Sequence, residues 1–86
     1  MSTATFPLAM KRGNVFAPAT MTVPFGATVK VTNQDLGVTH NWTEPGLFSS
    51  GNLGFGGTYS YRFTYTGTYQ FECTIHAGMT GSITVS

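Results

Sequence analysis

Four side chains in this 86-residue chain offer donors suited to a transition metal, and three of them fall in one short segment. The only cysteine, Cys73, opens the run Cys73-Thr74-Ile75-His76-Ala77-Gly78-Met79, which sets a thiol, an imidazole and a thioether at intervals of three. The other histidine, His40, lies well upstream. One thiolate, two imidazoles and a thioether form the donor set of a trigonal His2Cys copper site with a weak axial Met, a site built to move single electrons. Sulfur donors stabilise Cu(I), and imidazole serves both oxidation states. Zinc would accept Cys and His, but it has no redox chemistry and seldom takes a thioether.

Each residue alone has a plainer role. A single Cys is commonly a small buried hydrophobe and Met a filler of core gaps. Their joint spacing is harder to dismiss: His three and Met six positions after the sole Cys is a coincidence on the order of one in a thousand. The pattern predicts one bound copper ion, with His40, Cys73, His76 and Met79 as its metal ligands.

Those residues need a scaffold, and the pattern is all-β. Apolar residues never recur at three and four positions over two turns, and Gly, Thr and Pro punctuate the whole chain. Alternation with a period of two marks Phe6-Leu8-Met10, Met21-Val23 and Val29-Val31. The strongest run is Tyr59 to Tyr65, with four aromatics on one face, followed by the Thr66-Gly67-Thr68 turn and Tyr69 to Cys73. Ser82 to Val85 forms the last strand. Such short strands predict an antiparallel sandwich or small barrel, with a long connection from Glu44 to Gly57. Tyr69, Phe71 and Cys73 share a face, so the thiol points inward. Met79 shares parity with Ile83 and Val85, subject to continuity through Gly81. If the strand near His40 lies beside that of Cys73, all four donors converge at one end.

Length and charge narrow the function. The chain predicts one domain spanning residues 1–86. Charged residues make up 8% of it, the formal net charge is +1, and no basic stripe suggests nucleic acid. No apolar run can span a bilayer, and Met1 to Thr5 lacks the features of a signal peptide. Either the protein is cytoplasmic or the chain is a mature exported form, and one cysteine does not decide between them. Catalysis is not expected, because no acid–base pair or nucleophile triad is visible.

At this point the sequence resembles the cupredoxins, the blue-copper family of plastocyanin, pseudoazurin and amicyanin. The resemblance runs from Asn14 to Val85 through Val15-Phe16-Ala17-Pro18, Thr22 to Val29, Thr32-Asn33-Gln34-Asp35, His40-Asn41, Phe48-Ser49-Ser50-Gly51, Gly67 to Cys73 and Met79-Thr80-Gly81. The Cys-x2-His-x2-Met spacing is most similar to that of amicyanin. The resemblance implies a Greek-key β-sandwich of about seven to eight strands and electron shuttling between larger redox partners. It implies equatorial His40, Cys73 and His76, axial Met79, and Asn41 tying the two ligand loops together. Ser49 and Thr39 depart from the family pattern, outside the ligand set.

That reading makes His76 the most exposed ligand and the electron door. Ala77, Gly78 and the segment from Leu36 to Val38 would rim it with an apolar docking surface for transient redox partners. It also implies a monomer in the periplasm, the thylakoid lumen or the extracellular space, with the cytoplasm left open. Trp42 is expected in the core. Two rivals are a copper chaperone or storage protein and a metal-free β-sandwich recognition module.

Overall fold

The structure, a computed structural model, describes residues 1–86. Nine strands form: β1 (Thr5–Lys11), β2 (Val15–Ala17), β3 (Thr20–Val23), β4 (Thr28–Asn33), β5 (Thr43–Glu44), β6 (Phe48–Ser49), β7 (Thr58–Arg62), β8 (Gly67–Glu72) and β9 (Thr80–Val85). They build two sheets, ordered β2-β1-β4-β7 and β3-β9-β8-β5-β6. The β-branched and aromatic residues of these runs suit a pleated surface with one face buried.

Alternation places the core. From the first sheet, Leu8, Met10, Phe16, Val29 and Val31 turn inward. From the second, Val23, Phe48, Phe71, Ile83 and Val85 meet them. Trp42 and Phe63 fill the space between, and Trp42 is fully buried as expected. Phe71 meets Phe16 edge to face at 4.8 Å, and Trp42 meets Phe48 at 4.5 Å, within the range of favourable ring contacts.

Three details differ from the sequence reading. The connection from Glu44 to Gly57 starts within the two-residue strand β5 and contains the two-residue strand β6, both too short for any periodic signal. Two of the pairings are parallel, β1 with β4 and β3 with β9, so the sandwich is mixed and not wholly antiparallel. Parallel neighbours arise because the chain crosses between sheets several times and returns to an earlier strand from the same end. The aromatic run also stops short: β7 ends at Arg62, Phe63 turns into the core, and Tyr65 is exposed in the turn before β8.

Two features of the fold bear on the donor loop. The β8–β9 ladder runs unbroken from Gly67↔Val85 to Phe71↔Gly81 and Glu72↔Thr80, so the pleat passes through Gly81 without a slip. Glycine is required there by close approach, because a Cβ would overlap the Ala19 carbonyl oxygen and the Phe71 ring. Beyond the ladder, β5 pairs with β8 through Thr43↔Glu72. That single pair puts the chain just after His40 beside the chain just before Cys73.

The same pairing sets Glu44 close to Glu72. Partial burial pushes the Glu44 carboxyl above its ordinary range, and the Glu72 charge adds to the effect. A carboxyl raised on folding weakens the fold as it ionises, so its cost sets in as pH rises past the unfolded value and is complete above the folded one. Glu44→Gln mimics the neutral form and should stabilise the protein at pH 7 by a few tenths of a kcal/mol, the modest scale of surface charge effects. The gain should vanish when urea unfolding is repeated below the ordinary glutamate range. An equal gain at both pH values would mean that ionisation is not the cause.

Candidate metal centre

The donors sit on the loops between strands. His40 follows β4 by a loop, and its backbone is held on both sides: its N–H donates to the Leu53 carbonyl at 3.1 Å, and its carbonyl accepts from Leu53 N–H at 2.7 Å. Cys73 is the first residue after β8. Its N–H donates to the Met79 carbonyl at 2.9 Å, and Met79 N–H donates to the His76 carbonyl at 3.1 Å. These two bonds cinch the segment from Cys73 to Met79 into a closed loop. Its glycine at 78 takes a positive φ of 83°, which a residue with a side chain adopts only with strain.

The expected convergence occurs for the thiol and both imidazoles. His40 Nδ1 lies 3.9 Å from Cys73 Sγ, His76 Nδ1 lies 3.5 Å from the same sulfur, and the two Nδ1 atoms are 3.1 Å apart. The point equidistant from the three atoms is about 2 Å from each, close to metal–imidazole and metal–thiolate bond lengths of roughly 2.0–2.3 Å. An ion would fit in that triangle with little movement of its donors. His40 and Cys73 are buried and His76 is partly exposed, the order of exposure expected from the sequence. Met79 is buried at the loop's end, 1% exposed, with its backbone tied to both Cys73 and His76.

Asn41 bonds across from the segment after His40 to the segment after Cys73. Its Oδ1 accepts from Thr74 N–H at 3.0 Å and from Thr43 Oγ1 at 3.0 Å. Its Nδ2 donates to Thr74 Oγ1 at 2.8 Å and to Asn52 Oδ1 at 3.1 Å. The Asn41 backbone N–H points at Cys73 Sγ from 3.4 Å, a donor that stabilises negative charge on the sulfur. The side chain is thus wholly engaged, and Asn41 is buried.

A model of the family described as the cupredoxin-like domain matches residues 2–85. The chain belongs to the cupredoxin-like family. A purple cupredoxin from Nitrosopumilus maritimus is 28% identical with a TM-score of 0.89, the match covering 94% of this chain and 99% of that one. A copper-containing nitrite reductase from Thermus scotoductus SA-01 is 30% identical with a TM-score of 0.86, over 94% of this chain but only 22% of the enzyme. An amicyanin variant shares the fold at 22% identity and a TM-score of 0.86, over 94% of this chain and 81% of that one. No curated protein matched the sequence.

Sequence reasoning missed several residues that build this cupredoxin site. In the sequence Asp35 and Asn33 stand out only within a segment that resembles the family, yet Asp35 bonds His40 and Asn33 braces the loop between them. Thr74 and Asn52 complete the network around Asn41. One signal was available for Asp35: it is one of only three acidic residues in the chain and lies five positions before the first histidine.

Proposed function

We propose that the protein is a small blue-copper electron-transfer protein in which His40, Cys73, His76 and Met79 would hold one copper ion. The observation that carries this is the triangle of Sγ and two Nδ1 atoms, whose size suits a metal and whose donors suit copper. When bound, copper supplies a one-electron Cu(II)/Cu(I) couple. The protein's part is to hold the donors still. His40 is fixed by its backbone bridge to Leu53, Cys73 by the closed loop and Asn41 by four side-chain hydrogen bonds. Donors that cannot relax keep nuclear rearrangement small when one electron arrives from a donor protein or leaves to an acceptor.

His76, the one partly exposed donor, is the electron door in this reading. Ala77 and Gly78 beside it are exposed and uncharged, and so is Ile75. With Leu36, which is 78% exposed, they offer apolar surface for brief docking with larger redox proteins. The low charge of the chain leaves little long-range steering. We place the protein in the periplasm, the thylakoid lumen or the extracellular space as a monomer of one domain. An enzymatic role is disfavoured because four protein donors leave no position for a substrate.

Adding Cu(II) to the purified protein and recording its visible spectrum tests the proposal. An intense thiolate-to-copper band, bleached by a mild reductant and restored by an oxidant, is expected. A colourless and readily exchanged Cu(I) form would replace this reading with a chaperone or storage role. No uptake of copper would leave a recognition module.

A further inference from the structure

His40 turns one ring nitrogen toward the donor triangle and the other toward a carboxylate. Its Nε2 lies 2.8 Å from Asp35 Oδ2, with the His40 side chain fully buried and that of Asp35 7% exposed. A carboxylate accepts and cannot donate, so this bond puts a proton on Nε2, and in the neutral ring Nδ1 is left with its lone pair. That lone pair is the one that looks toward Cys73 Sγ and His76 Nδ1.

Asp35 is itself held in place. Its N–H donates to Asn33 Oδ1 at 2.8 Å, while Asn33 Nδ2 donates to the Val38 carbonyl at 2.9 Å and to the Leu53 carbonyl at 2.7 Å. Asn33 is fully buried, so it clamps the loop carrying Asp35 against the segment that holds the His40 backbone. The carboxylate has no competing cation. It accepts from the neutral His40 ring, and no Lys or Arg nitrogen comes within 4.0 Å of it.

We infer that Asp35 is a positioning residue with two effects: it fixes His40 as an Nδ1 donor, and its charge lowers the reduction potential of the site. This rests on the copper reading above. Oxidised copper carries one more positive charge than reduced copper, so a fixed negative charge one imidazole ring away favours the oxidised form. At the effective dielectric of a protein that preference is on the order of tenfold in the ratio of Cu(II) to Cu(I) affinity. The carboxylate also makes the imidazole a stronger donor, which acts in the same direction.

The test compares the reduction potential of the copper-loaded protein with those of Asp35→Asn and Asp35→Glu. Asn keeps the shape and removes the charge, and it should raise the potential by about 59 mV, the equivalent of tenfold for one electron. Glu keeps the charge and should move the potential much less. An unchanged potential in Asp35→Asn, or equal shifts in both variants, would overturn the account. A second measurement needs no variant: imidazole nitrogen resonances of the metal-free protein should show the His40 proton on Nε2. A neutral ring with its proton on Nδ1 would overturn the positioning role, even if Asp35→Asn fails to fold. If the unaltered protein takes up no copper, the copper reading fails, and the nitrogen spectrum still decides whether Asp35 sets the tautomer.

Discussion

Cys73→Ser should abolish the intense visible band and the one-electron couple while leaving the sandwich folded. Cys73 is 4% exposed at the end of β8, and serine matches its shape closely enough to avoid a cavity. The Asn41 N–H that points at Sγ from 3.4 Å can bond a hydroxyl instead, so the fold should lose about 1 kcal/mol at most. The chemistry changes far more. A thiol gives up its proton to a metal readily, whereas an alcohol does not. Copper affinity should fall by more than about a hundredfold, beyond the 10–100-fold typical when only a ligand's hydrogen-bond partner is removed. Copper titration and circular dichroism of the same sample separate the two effects. A serine variant that stays folded and keeps the visible band would show that Cys73 is not the thiolate ligand.

The largest effect on stability is expected from Trp42→Ala. Trp42 has no exposed surface, and its ring touches Phe48 at 4.5 Å and lies edge-on to Phe71 at 6.0 Å and to Tyr59 at 6.2 Å. Truncating a large buried aromatic leaves a cavity and typically costs about 3–5 kcal/mol. The whole stability of an 86-residue domain is of the order of 4–13 kcal/mol, so the variant should sit near its unfolding threshold. Trp42→Phe should be much milder. It keeps a ring against Phe48 and Phe71, and it removes Nε1, a buried donor with no hydrogen-bond partner. Losing an unsatisfied polar atom offsets part of the lost contact. Urea unfolding of the three proteins at constant slope measures the order. Equal losses in the Ala and Phe variants would mean that the indole nitrogen has a partner whose bond matters.

The candidate donors were legible because their chemistry and spacing are local. Cys73, His76 and Met79 lie on one short loop, and the strand parity of Tyr69, Phe71 and Cys73 needs only the two-residue repeat of a pleated chain. The same repeat correctly turned Val29 and Val31 inward around the exposed Lys30. It could not find β5 and β6, because two residues hold no period. Nor could it reveal the parallel partners of β1 and β9, since alternation says which face is buried but not which strand lies alongside. Tyr65 shows the opposite failure, where the pattern ran on past the end of the strand.

By itself, then, the sequence determined the donor types, the inward thiol, the β class and the low charge, all of which follow from side-chain chemistry and near-neighbour geometry. Tertiary structure decided the rest. His40 and Cys73 are 33 positions apart, and their meeting depends on the Thr43–Glu72 backbone pair and on the Asn41–Thr74 bonds between their loops. The bond from Asp35 to His40 depends on how Asn33 folds an aperiodic loop back onto Leu53. Such contacts arise from burial and backbone hydrogen bonding summed over distant segments. No local repeat encodes that sum.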